Sequence, residues 1–168
     1  MDKKLYIPKS AINDRVLRIS HEINADYPDG IVIIGVLKGS FMFLSDLMKN
    51  IKVDTSLDFI QAKSYEGTES SGTVKITKDI DINIKGKDVI VVEDIVDTGI
   101  TMDVILNKIK DKKPNSVEIC TLLYKPERTI IEHALKYVGF MIENKFVIGY
   151  GLDYNQKFRN YDEIYEVI

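Results

Sequence analysis

The sequence has one cysteine, no long apolar run and no block of basic residues. Cys120 is the only cysteine among 168 residues, which excludes an internal disulfide and leaves the core to hold the fold. Because it lies in the apolar run at residues 117–124, we expect a buried structural thiol, not a nucleophile. No apolar run approaches the ~18 residues that cross a bilayer, and the N-terminus lacks a signal-peptide core. We expect a cytoplasmic protein with no membrane partner.

Basic residues are scattered along the chain, and the formal net charge is −3. A nucleic-acid partner is therefore disfavoured, because binding the phosphate backbone requires clustered positive charge. The phosphate-loop pattern G-x-x-x-x-G-K-[ST] and the dinucleotide pattern G-x-G-x-x-G are both absent. The composition, 45% hydrophobic and 29% charged, is that of an ordinary globular protein, and the length fits one domain spanning residues 1–168.

Strand and helix patterns alternate through the middle of the chain. Helices are predicted at residues 10–25, from residue 41 after a plausible N-cap at Ser40, and over residues 102–109. In the second helix, Phe41, Leu44, Met48 and Ile51 recur at helical spacing. Apolar or alternating runs predict strands at residues 31–36, 57–62, 73–77, 88–92 and 117–124. This alternation indicates an α/β fold with a mainly parallel sheet.

The chain becomes irregular after Pro126, where short apolar pieces at residues 137–140 and 146–150 are separated by glycines. We expect a core over about residues 10–125 and a small lobe over about residues 126–168, joined by residues near the N-terminus. A second irregular stretch, residues 64–72, is polar and rich in Gly and Ser. That composition predicts a mobile loop.

The most informative segment starts with the apolar strand at residues 88–92 and continues into two adjacent acids, Glu93 and Asp94. In open α/β sheets, ligands bind at the carboxyl ends of the strands. Backbone N–H groups at the start of the following helix favour an anion, and Gly99 allows the chain to approach it closely. Thr98 and Thr101 add hydroxyl donors. The segment therefore predicts a phosphate site.

The acids beside this site need an explanation, because carboxylates alone would repel an anion. Glu93 and Asp94 are suited to ribose hydroxyls and to a hydrated Mg²⁺ ion, which prefers oxygen ligands. In a simpler interpretation, Glu93 and Asp94 are solvated turn residues, and Asp97 and Thr101 cap the helix. Helix capping accounts for Asp97 or Thr101 taken singly, but it does not account for the whole run of acids, glycine and threonines at residues 93–101.

Residues 89–101 resemble the motif of the type I phosphoribosyltransferases, a strand, two acids and an Asp-[Thr/Ser]-Gly-x-Thr loop. Further stretches resemble the hypoxanthine-guanine branch of that family, at residues 35–40, 63–65, 122–125 and 145–155, with Phe158 and Arg159. They run in family order over about residues 35–160. The resemblance implies the type I phosphoribosyltransferase fold, a mainly parallel central sheet flanked by helices with a small irregular hood formed largely by the C-terminal segment.

The resemblance also implies an activity, the Mg²⁺-dependent transfer of 5-phosphoribosyl from phosphoribosyl pyrophosphate to N9 of hypoxanthine and guanine. Asp97 would lie near purine N7 and act as the general base or proton holder. The metal ligands would be Glu93, Asp94 and Asp153. Phosphoribosyl pyrophosphate would be bound by Lys38, Gly39, Ser64, Tyr65, Glu93, Asp94, Asp97, Thr98, Gly99, Ile100, Thr101 and Arg159.

Two of these segments have particular roles in the family. Residues 37–39 would form a pyrophosphate-binding turn, which often has a cis peptide that the sequence alone does not predict. Ser64 and Tyr65 would close on the pyrophosphate as part of a lid, which protects an oxocarbenium-like sugar from water. Ile100 departs from the family pattern, because many relatives carry a polar or basic residue there.

The resemblance places the purine against Lys125, Phe146, Val147 and Asp153. The base would stack on Phe146, which without the resemblance would be interpreted as a core residue. Lys125 would donate to O6, which favours a 6-oxo group over the 6-amino group of adenine.

Three alternatives stay open. The enzyme could prefer xanthine, or the chain could be a regulator that senses phosphoribosyl pyrophosphate without catalysis. A phospho-accepting receiver also places acids at strand ends, but it does not explain the Asp-Thr-Gly-x-Thr loop. Family resemblance alone suggests a homodimer or homotetramer. His21 and His133 have no partner constellation in the sequence, and we expect both to be surface or structural residues.

Overall fold

The computed structural model describes residues 1–67, 70–130 and 132–168, with only the backbone of residues 65–67 and 70–72. Strands and helices alternate along most of the chain. The helices are α1 (Lys9–Asp26), α2 (Phe41–Asn50) and α3 (Ile100–Lys110). The strands are β1 (Lys3–Ile7), β2 (Ile31–Leu37), β3 (Thr55–Gly67), β4 (Ser70–Lys78), β5 (Asp88–Val96), β6 (Ser116–Tyr124), β7 (Tyr137–Met141), β8 (Val147–Ile148) and β9 (Ile164–Val167).

Six strands form the main sheet in the order β4-β3-β2-β5-β6-β7. Strand β2 pairs in parallel with β3 and β5, β5 pairs in parallel with β6, and β6 with β7, whereas β4 is antiparallel to β3. The predicted mainly parallel α/β sheet is therefore confirmed. Because the strands are parallel, the carboxyl ends of β2, β5 and β6 meet at one edge of the sheet.

Helices cover both faces of this sheet. Helices α1 and α2 contribute to one core cluster, and α3 contributes to a second. Along β2, Ile33 belongs to the first cluster and Ile34 to the second, because successive side chains of a strand point to opposite faces. Both side chains are fully buried, which explains why this strand is an uninterrupted apolar run.

The buried face of α2 is only partly made of the apolar residues that recur at helical spacing in the sequence. Phe43, Leu44 and Leu47 are buried, whereas Phe41 is 44% exposed. Phe41 instead lines a surface cavity of about 500 Å³ together with Met48, Leu44, Leu57 and Phe59. Apolar residues of α2 occur at two overlapping sets of i, i+3 and i+4 positions, so the sequence pattern is compatible with two different buried faces. Packing against the sheet selects one of these faces.

A second sheet has the order β1-β9-β8 and joins the N-terminal strand to the C-terminal segment. This sheet corresponds to the small lobe that the sequence predicts. The apolar piece at residues 137–140, which the sequence places in that lobe, instead forms β7 at the edge of the main sheet. Its parallel pairing with β6 is a long-range contact that local composition does not reveal. The division into a core over about residues 10–125 and a hood stays a prediction.

Cys120 lies on β6 and is fully buried as a free thiol, as predicted. Burial raises its thiol pKa far above the ordinary value, which leaves too little thiolate for a nucleophile. None of the described helices combines the length and the hydropathy needed to cross a bilayer.

Candidate active site

Strand β5 carries an acid pair to the carboxyl edge of the main sheet. The strand continues to Val96, so Glu93 and Asp94 lie within it and are not solvated turn residues. Glu93 is 8% exposed. Burial, together with the neighbouring Asp94 charge, raises the pKa of Glu93, and burial also raises the pKa of Asp94. A buried carboxylate beside a partly buried one favours a cation or a hydroxyl-bearing ligand.

The loop after β5 leads directly into α3. Gly99 is the residue before the helix and has a φ of 87°, in the left-handed region that favours glycine. Gly99 occupies the N-cap position of α3, so the interpretation of Asp97 and Thr101 as capping residues is wrong. The Thr98 hydroxyl instead accepts a hydrogen bond from the N–H of Ile100 at 3.4 Å. The first N–H groups of a helix lack acceptors within the helix, which makes this loop suited to an anion.

Asp97 lies between two cationic side chains. The Lys125 Nζ is 3.4 Å from its Oδ2, and the Arg128 Nε donates a hydrogen bond to its Oδ1. The Asp97 side chain is 38% exposed, whereas that of Lys125 is 8% exposed. A carboxylate that is accessible from solvent and flanked by donors can exchange a proton with a bound ligand.

A pocket of about 240 Å³ opens beside Asp97. The purine-binding residues expected from the sequence line it together, namely Lys125, Phe146, Val147 and Asp153, with Asp94, Ile95 and Leu152. Phe146 is 51% exposed, so the interpretation of this ring as a core residue is wrong. The ring meets Tyr154 edge-to-face with centroids 5.7 Å apart, which leaves aromatic surface at the pocket for a flat ligand.

The turn between β2 and α2 lies next to the acid pair. The Leu37–Lys38 peptide is cis, as the family resemblance suggests. Gly39 packs against the carboxylate of Asp94, and a Cβ at Gly39 would overlap that carboxylate. Ser40 occupies the N-cap position of α2 but does not cap it, because its hydroxyl donates to the carbonyl of Val36 at 2.6 Å.

The loop after β8 brings Asp153 and Arg159 together. Their side chains form an ion pair at 2.8 Å, and Arg159 also donates to the Gly151 carbonyl at 2.7 Å. Gln156 links this loop to the turn after β2, since its Oε1 accepts from Arg159 at 3.1 Å and from Lys38 at 3.4 Å. Asp153, which was expected to bind a metal ion, and Arg159, which was expected to bind pyrophosphate, therefore pair with each other in this structure.

The segment expected to act as a lid is more regular than the sequence predicts. Residues 64–67 extend β3 and residues 70–72 belong to β4, so most of the predicted loop forms an antiparallel hairpin. The reason is backbone pairing, such as that of Ser64 with Val74, which does not depend on apolar side chains. The Tyr65 side chain and residues 68 and 69 lie outside the described part of the chain.

The acid pair fits a magnesium ion on the chemistry of its donors. Among the side chains that the structure describes, no three of His, Cys, Asp or Glu gather as a metal site by themselves. Mg²⁺ is commonly bound by one or two carboxylates, with water and substrate phosphate oxygens completing the octahedron. Glu93 and Asp94 are suited to this arrangement.

Three residues at or near the site were missed from the sequence. Arg128 and Thr129 contact Asp97, through its carboxylate and its backbone carbonyl respectively, and Gln156 bridges two loops. The sequence offered one signal for Arg128, its position three residues after Lys125. His133 also has a partner that was not expected, Asp103 at 2.8 Å. Lys145, the residue before Phe146, does not line the pocket beside Asp97, and its Nζ pairs with the Glu166 carboxylate at 3.1 Å.

Comparison with known proteins assigns this fold and site to a class. The sequence profile of the phosphoribosyl transferase domain matches residues 8–155, and the chain belongs to that family. Among its relatives, the hypoxanthine phosphoribosyltransferase of Escherichia coli K12 is 40% identical, over 98% of this chain and 95% of that protein. The hypoxanthine-guanine phosphoribosyltransferase of Aquifex aeolicus is 41% identical, over 98% of this chain and 94% of that protein.

A similar structure has also been solved. The crystal structure of a hypoxanthine-guanine phosphoribosyltransferase from Bacillus anthracis is 44% identical, covers 98% of both chains and has a TM-score of 0.93. The family and the branch expected from residues 89–101 and the other matching stretches are thus confirmed.

Proposed function

We propose that this chain transfers 5-phosphoribosyl from phosphoribosyl pyrophosphate to N9 of hypoxanthine and guanine, giving the purine nucleotide and pyrophosphate. The observation that carries this proposal is the pocket that joins Asp97, Lys125 and the exposed ring of Phe146 beside a phosphate loop. Relatives named for this activity, about 40% identical over nearly the whole chain, support it. The activity belongs to purine salvage.

The phosphoribosyl group would be bound at the carboxyl edge of the main sheet. Backbone N–H groups of residues 98–101, with the Thr98 and Thr101 hydroxyls, bind its 5′-phosphate, as helix N-termini do. Lys38, Gly39 and Arg159 contact the pyrophosphate, for which the planar guanidinium of Arg159 is suited. Ser64 and Tyr65 close over it.

Magnesium would be bound by Glu93 and Asp94, with Asp153 at a second position. A magnesium ion held there would supply positive charge to offset the negative charge of the pyrophosphate. The Glu93 and Asp94 carboxylates also accept hydrogen bonds from the ribose hydroxyls, and this orients the sugar toward the purine pocket.

Asp97 is the proposed general base. As N9 bonds to the anomeric carbon, the bond from that carbon to pyrophosphate breaks, and the proton on N7 must leave the imidazole ring. A carboxylate within hydrogen-bond reach of N7 can accept that proton. Its position between the phosphate loop and the purine pocket supports this role.

Lys125 would select the base. Its ammonium has only donors, so it pairs with the O6 acceptor of hypoxanthine and guanine and not with the 6-amino group of adenine. Phe146 stacks on the base, and the backbone near Val147 and Asp153 contacts its other edge. Xanthine, which adds a 2-oxo group, is the competing substrate.

A regulator that senses phosphoribosyl pyrophosphate is the second candidate. The presence of Asp97 and Lys125 in one pocket favours the enzyme, because a sensor requires no proton acceptor. We also propose a cytoplasmic location, which the buried free thiol of Cys120 supports, and a homodimer or homotetramer.

The test is nucleotide formation from phosphoribosyl pyrophosphate and Mg²⁺ with hypoxanthine, guanine, xanthine and adenine offered separately. Asp97→Asn should lower turnover by about 10²-fold or more, the usual contribution of a general base. Asp103→Asn serves as the matched control, because Asp103 pairs with His133 and does not line the pocket. If no base reacts while phosphoribosyl pyrophosphate still binds, the regulator becomes the better account.

A further inference from the structure

Arg128 contacts the Asp97 carboxylate on the side away from Lys125. The Arg128 Nε donates to Oδ1, whereas Lys125 Nζ lies 3.4 Å from Oδ2. Lys125 and Asp97 both line the proposed purine pocket, so we assign Oδ2, the oxygen nearer Lys125, to the side on which the base would bind. The two oxygens of Asp97 are thereby distinguished, one turned to the pocket and one bound by Arg128.

The segment that carries Arg128 is joined to the phosphate loop through the backbone. The N–H of Lys125 donates to the Val96 carbonyl at 3.0 Å, and the N–H of Ile130 donates to the Thr98 carbonyl at 3.0 Å. Between them, the Thr129 hydroxyl donates to the carbonyl of Asp97 at 2.7 Å. Residues 125–130 therefore follow residues 96–98 closely, and Arg128 is aimed at Asp97 from a fixed backbone.

Lys125 alone would not hold Asp97 during the reaction. Under the proposed function, Lys125 donates to O6 of the base, which weakens its contact with Oδ2. Asp97 is 38% exposed, and a side chain with that much solvent access can rotate unless another contact prevents it. Arg128 remains bound to Oδ1 when the base arrives, since it lies on the opposite side of the carboxylate.

We propose that Arg128 is a positioning residue that keeps Oδ2 of Asp97 directed at purine N7. This inference rests on the proposed function, because it assigns Arg128 to the reaction that Asp97 performs. Arg128 does not contact the substrate. It acts by restricting the rotation of the proton acceptor, so that the carboxylate is aligned before the reaction begins.

A structural role would give a different result. The side chains of Arg128 and Asp97 are 42% and 38% exposed, and ion pairs this exposed contribute little to folding stability. Loss of the guanidinium should therefore leave the thermal midpoint nearly unchanged while it slows the chemical step.

The experiment is a double-mutant cycle on Arg128→Gln and Asp97→Asn. The rate constant is measured in single turnover, with enzyme in excess over hypoxanthine, so that product release does not mask the chemical step. Arg128→Gln should lower this rate constant about tenfold in the wild-type background and change it less than about twofold in the Asp97→Asn background, as expected for coupled residues. The dissociation constants for hypoxanthine and phosphoribosyl pyrophosphate should change less than about twofold.

Two further variants complete the test. Arg128→Lys keeps the charge but not the planar donor and should restore only part of the rate. Arg18→Gln, an exposed arginine on α1, should behave as the wild type. Equal loss of rate in both backgrounds, or no loss with Arg128→Gln, would overturn the proposal. A wild-type protein that converts neither hypoxanthine nor guanine would instead contradict the proposed function and, with it, this role.

Discussion

The Cα of Gly39 lies directly against the carboxylate of Asp94, with no room for a Cβ between them. The turn after β2 and the acid pair on β5 are thereby held in contact. We expect Gly39→Ala to displace the Asp94 carboxylate and to raise the KM for phosphoribosyl pyrophosphate about tenfold or more, because mispositioned contacts to a substrate are costly. Steady-state kinetics measures this change.

The control for Gly39→Ala is a variant that removes the obstructing atoms. If the steric account is correct, Gly39→Ala should also lower the thermal midpoint, and adding Asp94→Ala should recover the midpoint, although not the activity. A midpoint that stays low in the double variant would show that the damage arises elsewhere.

Gly151 supports the same turn from the other side. A Cβ at Gly151 would overlap the backbone carbonyl of Gly39, and the φ of Gly151 is 99°. Gly151→Ala should lower the free energy of unfolding by about 1–3 kcal/mol, the cost of a residue in a sparsely populated conformation, and should also weaken pyrophosphate binding. Chemical denaturation and product inhibition by pyrophosphate measure the two effects.

Gly86→Ala is the matched control for Gly151→Ala. Gly86 also has a positive φ, 70°, but a Cβ there would meet nothing within 4 Å. Gly86→Ala should lower the free energy of unfolding but leave pyrophosphate binding unchanged. The same loss of binding in both variants would contradict the proposed steric contact.

Removal of magnesium should abolish turnover, and its return should restore it. The neighbouring carboxylates of Glu93 and Asp94 repel each other, and a divalent cation offsets that repulsion. Asp94→Asn should raise the Mg²⁺ concentration for half-maximal turnover by about tenfold, as loss of a charged oxygen ligand weakens a hard-cation site. Asp81→Asn, which changes an acid with 88% side-chain exposure, should leave the Mg²⁺ requirement unchanged.

Lys125→Gln tests the selection of the base. The Lys125 side chain is 8% exposed in the proposed purine pocket, so its replacement removes a donor that few other groups can supply there. We expect kcat/KM for hypoxanthine to fall about 10–100-fold, the range for a charged hydrogen bond. Lys145→Gln alters a lysine that pairs with Glu166 and should have little effect. Unchanged discrimination between hypoxanthine and adenine in Lys125→Gln would exclude this role.

The Tyr137–Asp26 hydrogen bond predicts a dependence of stability on pH. The bond from Tyr137, together with Lys136, lowers the pKa of Asp26 below its usual 3.8 despite partial burial. A lowered pKa stabilises the fold above the unfolded value and loses that contribution as the pH falls through the folded value. Tyr137→Phe should therefore cost about 1–2 kcal/mol at pH 7, and this cost should shrink below about pH 4. Urea denaturation of both proteins across this range provides the measurement; a constant difference would exclude the Asp26 linkage.

Local pattern predicted the strands well, but not where they end. The apolar run of β2 predicts a strand covered on both faces, and its observed bounds, Ile31–Leu37, agree closely. Strand β5 continues beyond its apolar residues through Glu93 and Asp94, because its pairing with β6 continues. Backbone pairing does not require apolar side chains, so hydropathy underestimates such strands.

The sequence by itself determined the class of fold, because strand and helix patterns alternate along the chain, and it predicted the candidate phosphate loop and the acid pair, because each is a local string with a fixed order of residues. Phe146 and Lys125 could be named as a base site only through family resemblance, since neither lies in a motif that is diagnostic alone.

Tertiary structure alone decided the contacts between distant segments. The bond from Arg128 to Asp97, the packing of Gly39 between Asp94 and Gly151, and the place of β7 in the main sheet each join residues far apart in the chain. Such contacts depend on how several elements pack together, and no periodicity within a single element encodes that arrangement.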